Sequence, residues 1–402
     1  MDQVKKDFYL LFGGRILRMF AYGSISVVLI LYLSEIGLND YQIGLLLTLT
    51  LIGDFIVSLW ITTHADFLGR RIMLIAGAVL MIIGGLVFLL TKDYLILVAA
   101  AIIGVISPSG KEIGPFLSIE QAGLTQLLES KNFVKVFAWY NLAGSFAAAL
   151  GSLSAGWLSE LLQAVEFNKE NSYKAILAFY VFAGILLSII FYYLSANIEL
   201  AEGTEKELKG KMLGLHKSKK VVIKLSTLFA LDSFAGGLII QSIIAYWFFL
   251  RFDAEIGTLG TIFFGVNIIA GISALFAVQI SKKIGLLNTM VFTHLPSNIL
   301  LIIIPLMPSL ESAVILLLLR FSISQMDVPT RQAYTMGVVS PDERSAASGI
   351  TTITRSIGAS ISPSLSGIFL ANPFLINFPF FIAGGLKIIY DLWLYFSLRK
   401  IS

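Results

Sequence analysis

Residues 62–90 read TTHADFLGRRIMLIAGAVLMIIGGLVFLL. The first ten hold a histidine, an acid and two adjacent arginines, and the stretch 72–90 that follows holds no charged side chain. A helix rises 1.5 Å per residue, so such a stretch reaches about 28 Å, close to the ~30 Å of a bilayer's hydrocarbon core. Residues 176–194 form a second run of the same kind. In lipid the backbone must satisfy its own hydrogen bonds, which leaves helices and closed barrels as spanning structures. These runs are continuous in Leu, Ile, Ala and Gly and lack the polar/apolar alternation of a barrel strand, so the chain reads as an all-α polytopic membrane protein. Composition agrees. The 402 residues are 57% hydrophobic and 13% charged, with a mean hydropathy of +0.86, whereas a soluble domain carries about 25% charged residues.

Working outward from that stretch, twelve spans are expected, at 8–34, 40–63, 70–92, 94–123, 132–162, 173–197, 221–250, 256–281, 286–307, 310–338, 343–371 and 374–398. The first follows Lys5 and Lys6. It is too long for a signal peptide and has no small-residue cleavage site, so it reads as a retained span. Basic residues are distributed unevenly over the connections. With the N-terminus inside, about eighteen lysines and arginines fall on cytoplasmic segments, among them Lys5, Lys6, Arg70, Arg71, Lys282 and Lys283. Lys92, Lys169, Lys174 and Arg251 fall outside. The asymmetry puts both termini in the cytoplasm of a cell-membrane protein. The net charge of +4 therefore belongs to topology and implies no nucleic-acid partner. Cysteine is absent, which removes disulfides, thiolate metal sites and cysteine nucleophiles.

One connection, 199–220, is long and charged. It divides the chain into expected units 1–198 and 221–402 with a cytoplasmic loop between them. The two units repeat weakly. Gly44 and Gly69 recur as Gly260 and Gly285, 216 positions on, and Gln121-Ala122 and Gly156 recur as Gln332-Ala333 and Gly367, 211 positions on. A duplicated six-helix unit is the trace of parallel repeats about an axis along the membrane normal.

The opening loop also carries a family resemblance. Residues 62–71, with Asp66, Gly69, Arg70 and Arg71, resemble the G-x-x-x-D-[RK]-x-G-[RK]-[RK] loop between spans 2 and 3 of the major facilitator superfamily. Thr62 stands for the first glycine and Phe67 for the first basic residue. The copy Lys282-Lys283-Ile284-Gly285 keeps the glycine and loses the acid, and Pro341-Asp342-Glu343-Arg344-Ser345-Ala346-Ala347 resembles the family's P-x-E-R-x-x-A turn. Arg320, Asp327, Pro329 and Arg331 fit its span 10. The resemblance covers the whole chain. It implies a secondary transporter with two pseudo-symmetric six-helix bundles and a central cavity lined by spans 1, 4, 7 and 10. It also implies that Asp66 docks on the start of span 11 as a cytoplasmic gate, with Arg70 and Arg71 as its partners. A Gly-Pro antiporter motif is not evident in span 5, where the small residues from Gly144 to Gly151 read as a close-packing surface.

Ionisable groups inside the bilayer mark function by default. Arg15 and Arg18 lie in span 1, Asp54 in span 2, Lys111, Glu112 and Glu120 in span 4, Asp232 in span 7, Arg320, Asp327 and Arg331 in span 10, Arg355 in span 11, and Lys387 and Asp391 in span 12. Two roles compete. In one, Arg18, Lys111, Arg320 and Arg331 bind an anionic group while Glu112, Asp232 or Asp327 carries a coupling proton. In the other, these groups form ion pairs that never touch substrate. Arg15 reads as a snorkelling or inter-helix residue. Lys387 and Asp391, four apart, read as an ion pair with each other. Residues 104–111 imitate a phosphate loop, but the spacing is one residue too long and Glu112 replaces the magnesium-holding hydroxyl. Pro108 and Pro115 instead break helical bonds at membrane depth, which is tolerated where backbone lines a cavity. His64, His216 and His294 are scattered in sequence, read as lying near the aqueous faces, and make no metal set.

The reading that results is a monomeric carrier of a small solute, an organic anion or a drug-like compound, working by alternating access and coupled to protons. No cofactor, metal or catalytic residue is implied, and no enzymatic activity is expected. A lipid-modifying membrane enzyme would need clustered catalytic groups, commonly His or Cys with acids. A passive channel would usually oligomerise around a pore ring.

Overall fold

The computed structural model describes residues 2–111, 114–128, 133–199, 218–340 and 343–399. Helices account for nearly all of them, and no strand occurs among the described residues. Ten spans are long and apolar enough to cross a bilayer. Span 1 is Asp2–Glu35, span 2 Asp40–Leu68, span 3 Arg70–Leu90, span 5 Phe133–Ala164 and span 6 Lys169–Tyr192. Span 7 joins Lys219–Gly237 to Gln241–Phe252, span 8 is Ile256–Ile284, and span 9 is Leu286–Ile303 with a short 3-10 extension. Span 10 joins Leu310–Ser324 to Asp327–Val338, and span 12 is Phe378–Leu398.

Spans 4 and 11 complete the twelve, and each departs from a plain apolar helix for a visible reason. Span 4 is broken into Tyr94–Ile103 and Phe116–Leu127. Gly110 and Gly114 between them take positive φ, and Pro115 precedes the second piece. The irregular backbone is tied by Ser107 Oγ donating to the Lys111 carbonyl at 2.8 Å and by the Tyr180 hydroxyl donating to the Val105 carbonyl. Span 11, Arg344–Leu370, is rich in Ser and Thr. Several of its hydroxyls bond back to the helix itself, as where Thr351 donates to the Ala347 carbonyl at 2.8 Å and Thr354 to Ile350 at 2.9 Å. Back-bonding of this kind lets a polar helix span, because the hydroxyls that make it carry their own acceptors into lipid.

Helix ends are written in the sequence. Asn39 and Gln42 form a capping box at span 2, with reciprocal 3.0 Å bonds. Asp93 caps span 4 through the Leu95 and Ile96 amides, and Asn168 caps span 6 through Asn171. Each satisfies donors that a helix start leaves open. The 216-residue repeat has a backbone reason at one of its glycines: Gly69 turns span 2 into span 3 at φ 98°, and Gly285 turns span 8 into span 9 at φ 85°, a region that side chains rarely adopt.

The chain divides into two compact units, Met1–Gly210 with Glu255–Phe264, and Lys211–Ala254 with Gly265–Ser402. In the first, spans 1 and 5 meet so closely that a Cβ at Gly151 would overlap the Phe20 carbonyl, while Ser24 Oγ donates to the Gly151 carbonyl at 3.0 Å. In the second, spans 7 and 11 repeat the arrangement, with Gly358 against the Ala230 carbonyl and Ser366 Oγ donating to the Leu238 carbonyl at 2.8 Å. Without a hydrophobic drive between helices in lipid, such small-residue seams and hydroxyl bonds are what hold them together. The cores are aromatic: Tyr22, Phe88, Phe116 and Phe191 are fully buried in one unit, and Trp247, Phe248 and Tyr390 in the other. Large apolar side chains such as Ile56, Ile72, Leu90 and Phe396 stay exposed, as a lipid-facing surface requires.

Candidate functional sites in the two units

Each unit holds one buried charge centre on its first and fourth helices. In the first unit Arg18 and Glu120 form a two-pronged ion pair, with Nη1–Oε1 and Nη2–Oε2 both 2.6 Å. Neither side chain is exposed. The Tyr140 hydroxyl of span 5 donates to the same carboxylate, and the Arg18 guanidinium lies 4.5 Å from the Phe116 ring centroid. Parallel charge-assisted bonds of this kind are the strongest that side chains make. Arg15 makes the inter-helix contact, the second of its two expected roles, by reaching span 5. Its guanidinium covers the Tyr140 ring at 4.8 Å, and Nη2 stands 3.5 Å from the Asn141 side-chain oxygen. Asp54 is half-buried and accepts from Ser58 Oγ at 3.3 Å.

The second unit's centre is larger. Asp232 of span 7 takes Lys387 Nζ of span 12 on Oδ1 at 2.5 Å and Arg331 Nη1 of span 10 on Oδ2 at 3.0 Å. Arg331 Nη1 also lies 3.1 Å from Asp327 Oδ2. Lys387 and Asp391 do not pair as their spacing suggests. Lys387 turns to Asp232, and Asp391 takes His294 Nδ1 at 2.8 Å and Asn298 Nδ2 at 2.8 Å. Helical spacing puts two residues on one face, and here that face meets better partners on spans 7 and 9. His294 lies deep in the unit, 4% exposed, rather than near an aqueous face. Sequence reading misses it because a lone histidine in an apolar run shows no partner nearby, and its partner stands on another helix. The one available signal is that His294 and Asn298 are four apart, on one face of span 9.

The two centres are inversions of each other. Span 1 supplies the cation and span 4 the acid in the first unit; span 7 supplies the acid and span 10 the cation in the second. Arg18 to Asp232 and Glu120 to Arg331 are separated by 214 and 211 positions, the spacing of the internal repeat. The contact is kept while its polarity is exchanged.

Arg320 differs from all of these. It is 6% exposed, and its Nε has no hydrogen-bond partner. Its guanidinium carbon lies 4.8 Å from the Phe321 ring centroid, within the electrostatic reach of Asp232 and Asp327. Arg355 bonds only loosely, Nε to Ser233 Oγ at 3.3 Å. Lys111 is exposed on the broken segment of span 4. Glu112 lies outside the described residues.

At the expected cytoplasmic loop, Arg70 Nε donates to Asp66 at 2.8 Å and Arg70 Nη1 to the Ile198 carbonyl at 2.9 Å. Arg71 instead reaches the Leu194 carbonyl at 3.2 Å and the Tyr192 ring. The acid at the start of span 3 is Glu199, which accepts from the Arg70 amide at 2.6 Å and the Arg71 amide at 3.1 Å. A carboxylate there meets both the open donors and the positive end of the helix. Glu343, in the P-x-E-R turn, accepts from the Ser218 amide at 2.8 Å at the start of span 7. Pro341 and Asp342, the expected dock for Asp66, lie outside the described residues. No group of His, Cys, Asp and Glu fit to hold a metal occurs among the described residues.

The Major Facilitator Superfamily model matches residues 11–363. The chain belongs to the major facilitator superfamily. Within that superfamily it is 30% identical to an uncharacterized membrane protein of Saccharomyces cerevisiae, YJR124C, over 96% of this chain and 93% of the yeast protein. Among solved structures it resembles a D-xylose–proton symporter at 16% identity, with a TM-score of 0.75 over 98% of this chain and 97% of the other. It also resembles the nucleoside transporter NupG at 15% identity and a TM-score of 0.73, over 99% of this chain and all of the other. These likenesses establish the superfamily fold: a multi-pass, twelve-helix membrane transporter of small solutes.

Proposed function

We propose that this chain is a secondary active transporter that moves a small organic anion by alternating access of its two six-span halves, 1–198 and 221–402, with coupling to protons. Arg320 carries the reading. It stands ten residues from the start of its helix at Leu310, about 15 Å in, half the depth of a bilayer core. A charge at that depth is expensive without a partner. Asp232 and Asp327 act on it electrostatically, yet each bonds another cation, so an anionic group on the solute is a natural hydrogen-bonding complement to Arg320. This favours an organic anion over a neutral drug-like compound. Arg355, on span 11 of the same unit, is a further cation for the same task. Asp66, Gly69, Arg70 and Arg71 are proposed as the cytoplasmic gate, and the placement of basic residues supports cytoplasmic termini.

The test is uptake of radiolabelled small organic anions and matched neutral analogues into proteoliposomes. Wild-type protein is expected to move at least one anion. Arg320→Gln is expected to lower that uptake about tenfold or more, as losing a hydrogen bond to a charged group costs about 1.5–3 kcal/mol. Transport confined to neutral analogues, or undiminished anion uptake by Arg320→Gln, would show the anion assignment to be wrong.

A further inference from the structure

Proton coupling needs a group that can gain and lose a proton without tearing out its neighbours. The buried carboxylates of the second unit are poorly suited. Both oxygens of Asp232 hold cations, Lys387 on one and Arg331 on the other, and Asp327 is held by Arg331. A proton on either would have to displace an ammonium or a guanidinium.

His294 has the capacity they lack. Its Nδ1 is engaged with Asp391 Oδ1 at 2.8 Å. An ionised carboxylate only accepts, so Nδ1 is the donor. Asn298 fixes the acceptor by donating to Asp391 Oδ2 at 2.8 Å. The other ring nitrogen, Nε2, faces Asp232 Oδ1 at 3.9 Å, a gap that a small ring movement or a water would close. The ring thus sits between two acids. One orients it from span 12, and the other stands on span 7.

The electrostatic surroundings bear on the same assignment. The groups facing His294 are Asp232 from span 7, Asn298 from its own span 9, Asp327 from span 10, and Lys387, Tyr390 and Asp391 from span 12. The cluster holds the carboxylates of Asp232, Asp327 and Asp391 and the bonded cations Lys387 and Arg331, with the Arg320 guanidinium in the field of Asp232 and Asp327. A proton gained or lost on His294 changes the net charge of this cluster by one in a low-dielectric interior, where such differences count most.

We infer that His294 is the residue that takes up and releases the coupling proton, through its Nε2 on the Asp232 side, with Asp391 and Asn298 as positioning residues. A proton from water adds to the Nε2 lone pair while Nδ1–H stays on Asp391. Release returns the same proton and leaves a neutral imidazole, with no bond to carbon made or broken. Asp232, between His294 and the cations of spans 10 and 12, passes the change of charge to the helices that carry Arg331 and Arg320. The inference rests on the reading of the chain as a proton-coupled carrier and replaces Asp232 and Asp327 as the titrating groups.

The test uses the full chain in lipid nanodiscs with 15N-labelled histidine. The sequence has three histidines, so His64→Gln with His216→Gln leaves His294 as the reporter. Its Nε2 resonance is expected to pass from the imidazole to the imidazolium position in one step as pH falls, and Asp391→Asn is expected to move the midpoint of that step. A resonance that stays in one form at every pH, or a step indifferent to Asp391→Asn, overturns the assignment. His294→Gln keeps an amide at the site and cannot titrate, so the pH dependence of the melting temperature should flatten in it. If that variant does not fold, the resonance of the native residue still decides. Uptake by wild-type protein separates the two levels. Uphill transport with a non-titrating His294 sinks this inference alone. A titrating His294 in a chain that moves no solute sinks the carrier reading and the coupling role with it.

Discussion

At the scale of single residues, the exchanged polarity of the two buried centres makes a direct prediction. Removing one member of a buried ion pair strands the other, at a cost of about 3–5 kcal/mol, whereas replacing both by apolar residues of similar volume is often neutral. Glu120→Gln is therefore expected to lower stability by about 3–5 kcal/mol, and Arg18→Met with Glu120→Leu to recover most of the loss, read from chemical unfolding in detergent. Arg18→Glu with Glu120→Arg would give the first unit the polarity that the second already has, and it should fold better than either single change. Equal losses for single and double variants would mean that the pair does not act as a unit. Much of this scale was legible in sequence: intramembrane charges fall on spans 1, 4, 7 and 10, and the repeat marks Glu120 and Arg331 as equivalent. Partner choice was not. Lys387 and Asp391 share a helix face yet bond to spans 7 and 9, and His294 gains its meaning only from Asp391, 97 positions on.

At the scale of elements, hydropathy located ten spans because their length and composition are set by the bilayer. Span 4 was legible as broken from its two prolines. The seams between spans 1 and 5 and between 7 and 11 explain why small residues recur there, and the span 5 run from Gly144 to Gly151 serves packing, as its composition suggests. Glu199 was not legible. It opens a stretch that reads as a charged linker, yet its carboxylate closes the start of span 3 from the far end of span 6. A partly buried charge at a helix end contributes up to about 2 kcal/mol, so Glu199→Gln should destabilise the chain by roughly 1–2 kcal/mol and speed hydrogen exchange at the Arg70 and Arg71 amides. Unchanged exchange there would mean that the amides are protected by something other than this carboxylate.

At the scale of the whole molecule, the superfamily fold was readable because twelve spans, the repeat spacing and the loop at 66–71 agree with one another. The transported solute is not written in the same way. It depends on a few polar groups whose neighbours come from distant helices. Arg320 and His294 reduce the question to charge: one buried guanidinium whose neighbouring carboxylates each bond another cation, and one buried imidazole poised between two acids. A carrier built so should link the movement of an anion to the movement of a proton. The most direct measurement is accumulation of a transported organic anion in proteoliposomes under an imposed pH gradient. The account predicts accumulation above equilibrium for one polarity of the gradient, abolished by a protonophore. Simple equilibration of the anion, identical with and without the gradient, would contradict it.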